Sequence, residues 1–295
     1  MESRDAPAIS VVVVNWNTRE LLRRCLGSIY ATVPPISFDV IVVDNASEDG
    51  SADMVAEQFP AAELIRSESN VGFSAGNNLG LRRASGRYVM LLNPDAELLP
   101  GAVREMVQFA DAHPRVAVVG PKLLNADGSL QKNGRTFTSL WREVLGLTKL
   151  YRIWARFNRK ADWGREDFDV PAQVDEVSGA CMLVRKSVID EVGLLDERFF
   201  MYYEEVDWCR RMKQAGWEVH YLPSARIIHH WSAGAKKTGL LGSRIAFRSQ
   251  YLYFRKHHGL PQALALRTLS GLALLLLYVK HAIVGPRSFP SAKRQ

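Results

Sequence analysis

Four short polar clusters hold the side chains of this 295-residue chain that could do chemistry: Asn15-Trp16-Asn17, Asp44-Asn45, Asn93-Pro94-Asp95 and Glu204-Glu205-Val206-Asp207. The first three directly follow apolar runs, Ile9 to Val14, Val40 to Val43 and Tyr88 to Leu92. A continuous apolar run of this kind reads as a strand buried on both faces of a parallel sheet. Ligands of such sheets sit outside the carboxyl ends of the strands. Pro94 has no N–H to give a sheet ladder, so the strand stops there and Asp95 falls on the polar edge. A carboxylate in that position can hold a divalent cation against a phosphate. The plainer alternative is a polar strand end followed by a turn. For Glu204, Glu205 and Asp207 it is first-turn capping, since acids there complement the helix dipole.

The elements that must position these clusters follow from periodicity. Leu21, Leu22, Cys25, Leu26 and Ile29 recur at helical spacing after the first strand. A second strand, a turn over Ser47 to Ser51 and a helix through Met54, Val55 and Phe59 continue the alternation, which predicts a parallel sheet covered by helices. Leu64-Ile65 reads as a third strand and Asn70 to Asn78 leads into a helix through Leu81 and Ala84. Pro100 marks the start of another helix. Val116 to Val119 is a strand and Asn125 to Gly128 a turn. Residues 135–172, with Trp141, Tyr151, Trp154, Phe157 and Trp163, read as a mobile or amphipathic insertion. Val174 to Val184 is extended and interrupted at Gly179; Lys186 to Val192 and Glu204 to Ala215 are helical, the latter ended by Gly216. Glu218 to Leu222 and Arg226 to His229 read as short strands.

Composition narrows the function classes. At 47% hydrophobic the chain can bury a large core. Cys25, Cys181 and Cys209 are scattered and odd in number, which suits a reducing compartment and no disulfide framework. Met1 to Pro7 lacks the apolar core of a secretory signal. The net charge of +7 is unevenly spread: residues 219–295 hold no Asp or Glu and twelve Lys or Arg, while the preceding residues are net acidic. Such asymmetry points to an anionic partner. Within Leu264 to Val284, Arg267 and Lys280 bracket only a dozen uncharged residues. About 20 are needed to span a bilayer, so a helix lying in the membrane interface, or an ordinary docked helix, is expected. No Walker or dinucleotide-type glycine motif is present, which argues against an NTPase or a dehydrogenase.

Six ordered segments carry a resemblance: Val11 to Asn17, Val42 to Ser51, Asn70 to Asn78, Leu91 to Asp95, Val177 to Arg185 and Phe199 to Asp207. Together they resemble the motifs of the family 2 inverting glycosyltransferases, and within it the rhamnosyltransferase-like branch, over about residues 8–235. The resemblance implies an α/β, A-type glycosyltransferase fold, a Rossmann-like nucleotide-sugar-binding sheet (8–122) fused to an acceptor and catalytic half (123–235), with a basic helical membrane-associating tail (236–295). It implies donor contacts from Asn15, Asn17, Asp44, Asn70, Gly72, Asn77, Asn93 and Asp95, with Asp44 on the base and ribose side. Gly179, Ala180 and Tyr203 would face the acceptor, although a β-bulge explains the small residues equally well.

Asn93-Pro94-Asp95 stands where the family usually has Asp-X-Asp, so Asp95 matches the retained metal ligand and Asn93 replaces the first acid with a weaker, neutral one. His229 resembles the late histidine ligand, with His230 as the alternative. The implied cofactor is Mg2+ or Mn2+, neutralising charge on the leaving diphosphate. Inversion needs one base, and Glu205 matches it; Glu204 and Asp207 are neighbours that raise its pKa, unless Asp207 instead orients Arg210 or Arg211.

The implied partners are a dTDP- or UDP-linked sugar, with L-rhamnose as the sugar, a saccharide or polyprenyl-diphosphate-linked acceptor, and an anionic membrane surface. The expected place is cytoplasmic, peripheral on the inner face of the cell membrane, in envelope polysaccharide synthesis. Two readings compete. A nucleotidyltransferase would want a glycine-rich, lysine-bearing loop after the first strand, which Asn15 to Arg19 is not. A non-catalytic membrane or nucleic-acid binder leaves the acidic strand ends unexplained, so no nucleic acid is expected.

Overall fold

The first apolar run forms β1 (Ile9–Asn15), buried along its whole length. A computed structural model describes residues 6–33, 35–148, 167–230 and 233–284. After β1 come α1 (Arg19–Thr32), β2 (Phe38–Asp44), α2 (Ser51–Gln58), β3 (Glu63–Arg66), α3 (Gly72–Leu81), β4 (Tyr88–Leu92), β5 (Ala96–Leu98), α4 (Ala102–Ala112) and β6 (Val116–Leu124). The second half holds β7 (Leu130–Gln131), α5 (Leu140–Thr148), β8 (Ala172–Val174), β9 (Cys181–Arg185), α6 (Lys186–Val192), α7 (Glu204–Gln214) and β10 (Glu218–His229). The tail forms α8 (Ala233–His257) and α9 (Leu260–Val284).

All the strands join one sheet, in the order β3-β2-β1-β4-β9-β6-β10-β5, with β7 beside β6 and β8 beside β10. The strands β3, β2, β1, β4, β6 and β10 share one direction, because β9 runs antiparallel to both β4 and β6. The sheet is therefore mixed rather than parallel throughout. A five-residue apolar strand, Cys181 to Arg185, is compatible with either direction, since both of its faces are covered and periodicity does not encode direction.

The interruption expected at Gly179 is present: β8 pairs with β10 and β9 lies between β4 and β6, with the chain turning at Ser178 to Ala180. Conversely, Glu218 to His229 is one strand, irregular between Leu222 and Arg226 where Pro223 removes a ladder donor. The helix after Pro100 begins at Ala102, following Gly101. Within the segment read as an insertion, Leu140 to Thr148 is helical, whereas Tyr151, Trp154, Phe157 and Trp163 lie outside the described residues. Gly216 ends α7 in the left-handed region, φ +90°, as its position implies.

Strand alternation splits the core. Val11, Val13, Tyr88 and Met90 pack under α1 and α4, whereas Val12, Val89, Leu91, Met182 and Val184 pack with Trp208 and Met212 of α7 on the other face. There α3 lies unusually close to β1: a Cβ at Gly80 would stand 2.4 Å from Val12 Cγ1, and one at Gly76 2.9 Å from Val14 Cγ1. This closeness sets the height of the α3 N-terminus above the sheet edge. A third cluster joins Phe199 and Val206 to Tyr253, Phe254, Ala263 and Leu266 of the tail. The tail helices are thus docked against α7 and the segment that leads into it. Among the described residues no helix is long and apolar enough to cross a membrane.

Gly80→Ala should push α3 off β1. Overpacking of this kind costs about 1–3 kcal/mol. The expected readout is a lower urea midpoint with an unchanged m-value.

Candidate active site

The shared strand direction collects the carboxyl ends of β1, β2, β4, β6 and β10 at one edge. There Asn15 Nδ2 donates to Asp44 Oδ1 at 3.1 Å and to Ser47 Oγ at 3.0 Å, and Ser47 N donates to Asp44 Oδ2 at 3.0 Å. Asn17 adopts φ +54° and its Oδ1 accepts Glu48 N at 2.8 Å. Asn15, Asn17 and Asp44 are therefore one network that shapes the loop following β2. Beside it, Asn45 Nδ2 donates to Asn70 Oδ1 at 3.0 Å, and Asn70 Oδ1 accepts Gly72 N at 3.0 Å. Gly72 is required on two counts: its φ is +87°, and a Cβ would meet Phe200 O at 2.5 Å. Asn77 turns back onto its own helix, donating to Phe73 O at 2.9 Å.

Asp95 sits where β4 gives way to β5, and Asp95 Oδ1 lies 3.3 Å from His229 Nε2. Gln131 fixes the proton on that ring. Its Nε2 donates to Asn125 Oδ1 at 2.7 Å and to the carbonyl of His229, so its Oε1 accepts from His229 Nδ1 at 2.9 Å. In a neutral ring Nε2 then carries the lone pair, and two acceptors face one another across a gap that a cation would bridge. Nearby on the chain, Asn93 Oδ1 is buried with no hydrogen-bond partner. His230 is instead paired with Glu97 at 2.6 Å. One carboxylate oxygen and one imidazole nitrogen could hold a divalent ion, with the remaining positions left to water and phosphate oxygens. Consistent with so few ligands, no cluster of three or more His, Cys, Asp or Glu that could hold a metal exists among the described residues.

One backbone bond carries the edge across to the carboxylates: Asn93 N donates to Ala180 O at 2.9 Å. Glu205 lies against the neighbouring Gly179, where a Cβ would stand 3.7 Å from Glu205 Cβ. Glu205 lines a cavity of about 390 Å3 together with Arg135, Arg142, Glu143, Glu176 and Tyr203. Just before α7, Tyr202 and Tyr203 take φ values of +71° and +68°. Side chains in that region cost energy, about 1–3 kcal/mol each, and persist only where surrounding contacts impose them. Here Tyr203 Oη donates to Glu143 Oε1 at 2.9 Å, Gln250 Nε2 to Glu143 Oε2 at 2.7 Å, and Ser249 Oγ to Met201 O at 2.8 Å.

The carboxylates divide by environment. Burial raises the Glu205 carboxyl above its ordinary range, against the pull of Arg135 and of the Gly179 N–H. Glu204, more deeply buried, is pushed further by burial and by the charge of Glu205. Glu176, ion-paired with Arg135, is pushed up to about 7 by burial, which outweighs the guanidinium. Asp207 goes the other way. It is buried, but His257 at 2.6 Å, Lys256 at 2.7 Å and Arg211 at 3.0 Å overcome that burial and hold it below the usual carboxylate range.

The structure thus brings Asn15, Asn17, Asp44, Asn70 and Gly72 together at the carboxyl edge of the sheet, sets Asp95 against His229, and places Tyr203 and Glu205 on the cavity wall with Gly179 beside Glu205, while Ala180 is buried in the core and Glu204 does not line the cavity. It does not bring Asp207 into the cavity: that carboxylate clamps the tail, and Arg211 is one of its partners, the orienting alternative. Sequence reasoning missed Arg135, Glu176, Glu143 and Gln131. For Glu176 a signal existed, an acidic pair, Asp175-Glu176, set between Val174 and Val177 in a segment that reads as extended.

The Glycosyl transferase family 2 model matches residues 10–193. The chain is similar to an N-acetylglucosaminyl-diphospho-decaprenol L-rhamnosyltransferase of Mycobacterium tuberculosis, 29% identical over 263 residues and 85% of each protein. It is also similar to a dTDP-rhamnosyl transferase of Shigella flexneri, 24% identical over 88% of this chain and 83% of that one. Among solved structures, a mannosyltransferase from Pyrobaculum calidifontis in complex with GDP-Man and Mn2+ superimposes with a TM-score of 0.59 at 18% identity, covering 97% of this chain and 78% of that one.

A carboxyl that titrates near 7 when folded and near 4.5 when unfolded keeps its proton better in the folded state, so it stabilises the fold at low pH and loses that contribution as pH rises between those values. Glu176→Gln should therefore flatten the pH dependence of the thermal midpoint between about pH 4.5 and 7, measured by scanning calorimetry.

Proposed function

This chain belongs to glycosyl transferase family 2 and has the A-type glycosyltransferase fold, and from that premise we propose that it transfers L-rhamnose, with inversion, from dTDP-rhamnose to a hydroxyl of a polyprenyl-diphosphate-linked or envelope saccharide. The observation that supports it most is the continuous path from the Asp95–His229 pair through Asn93 and Ala180 to Glu205. The names of the similar rhamnosyl transferases support the choice of donor and acceptor.

In this reading the Asn15–Asp44–Ser47 network receives the nucleoside, and the N-terminus of α3 lies near the phosphates. Asp95 and His229 would hold Mg2+ or Mn2+, which when bound supplies charge neutralisation for the departing diphosphate. An acceptor hydroxyl in the cavity attacks the anomeric carbon from the face opposite the diphosphate. As the new C–O bond forms, the anomeric C–O bond to phosphate breaks, its electron pair leaves with the nucleoside diphosphate, and the hydroxyl proton passes to Glu205. The raised pKa of Glu205 suits it to that transfer. Gly179, with no side chain, lets the backbone pass close to Glu205, and Tyr203 braces the cavity wall. Residues 8–235 act as the catalytic domain, in halves 8–122 and 123–235. The basic segment 236–295 holds the enzyme peripherally on the anionic inner face of the cell membrane.

Glu205→Gln should lower transfer from radiolabelled dTDP-rhamnose to N-acetylglucosaminyl-diphospho-polyprenol by about 10²–10⁴-fold while the variant still binds dTDP. Undiminished turnover would sink the assignment. Asp95→Asn should raise the Mn2+ concentration needed for half-maximal activity, and a chelator should abolish the parent activity; a parent unaffected by the chelator would remove the metal.

A further inference from the structure

The tail carries a second concavity that the transfer reaction does not use. It lies between α8 and α9, has a volume of about 500 Å3, and is lined by Phe247, Tyr251, Leu252 and Leu274 with Arg244, Arg248 and Arg267. The Arg267 guanidinium is seated 5.3 Å above the Tyr251 ring. Stacking of that kind fixes a cation at the mouth of an apolar groove. No acidic residue lines the groove, and the chain has none after Glu218. Along α9 the groove continues into a leucine stripe: Leu260, Leu264, Leu272 and Leu275 are 51%, 46%, 55% and 57% exposed and fall within one side of the helix. On the opposite side Ala263, Leu266 and Ser270 are buried.

We infer that this groove is a binding site for an anionic phospholipid of a bilayer surface, whose headgroup phosphate takes Arg244, Arg248 and Arg267 while an acyl chain lies along Phe247, Tyr251, Leu252 and Leu274. The leucine stripe enters the same acyl layer, an apolar face bordered by cations as interfacial helices have. Charge complementarity selects this occupant: three arginines on an apolar floor match a phosphate joined to hydrocarbon and match neither a neutral lipid nor a folded acidic protein lacking an apolar tail. The site is placed with respect to the reaction, because Ala246 lines the sugar cavity and Phe247, the next residue of α8, lines the groove. It deepens the membrane-surface reading given above and rests on it for the class of partner.

The test is flotation of the full chain with vesicles of phosphatidylcholine alone or with phosphatidylglycerol. The parent should bind the anionic vesicles and not the neutral ones. Joint Arg244→Gln, Arg248→Gln and Arg267→Gln substitution should weaken that binding at least tenfold, and Leu272→Gln with Leu275→Gln should do likewise without loss of charge. A control triple of exposed arginines outside the tail, Arg83→Gln, Arg104→Gln and Arg115→Gln, should weaken it less than threefold; unchanged circular dichroism establishes that each variant is folded. Equal losses from the two arginine triples would overturn the groove in favour of diffuse attraction and leave surface binding standing. A parent that ignores anionic vesicles, or that binds only neutral vesicles doped with undecaprenyl phosphate, would overturn both.

Discussion

The pairing of β9 with β4 is the constraint on which the rest of the site depends. Leu92 stands opposite Cys181, so the residues just before β9 must lie beside those just after β4. That register, closed by the bond from Asn93 N to Ala180 O, is what sets the polar end of β4 next to Gly179 and hence next to Glu205. A slip of one residue would send every side chain of β9 to the opposite face. Cys181 and Leu183 would leave one core and Met182 and Val184 the other, so both cores resist the slip.

The same sheet was partly visible in the chain itself. Apolar runs ending in polar pairs located β1, β2 and β4, and the helical periodicity of α1 and α7 was sound, because those segments bury whole faces. Strand direction was not visible, since a short strand covered on both faces has no signature for it. The two short strands read over Glu218 to Leu222 and Arg226 to His229 are one, because the ladder to β6 shifts register around Pro223 and then resumes. Of the site, the acids and amides at strand ends were legible as chemistry waiting for a ligand. The Arg135–Glu176 pair was not: its meaning comes from a bridge between residues far apart in sequence, Arg135 and Glu176, that pairing alone creates.

The three carboxylates on the first turns of α7 show how one short sequence divides labour. Glu204, Glu205 and Asp207 are near-identical in type, and the helix dipole favours all of them alike. What separates them is the surface each meets. Glu205 faces a cavity and a single guanidinium, Glu204 is enclosed, and Asp207 meets Arg211, Lys256 and the His257 ring on the side turned to the tail. The last arrangement leaves one oxygen-rich group fully charged in the interior, and the first leaves another able to accept a proton at moderate pH.

The Asp207 cluster also bears on how such a protein can be recombined. Two of its three partners, Lys256 and His257, belong to α8, beyond the residues that the family model matches. A foreign tail grafted onto this sheet would have to present equivalent hydrogen-bond donors at the same turn, because a buried carboxylate stripped of its partners costs roughly 3–5 kcal/mol. In this chain, then, the unit that can be exchanged between relatives is not the sheet with an interchangeable anchor but the sheet, α7 and α8 together.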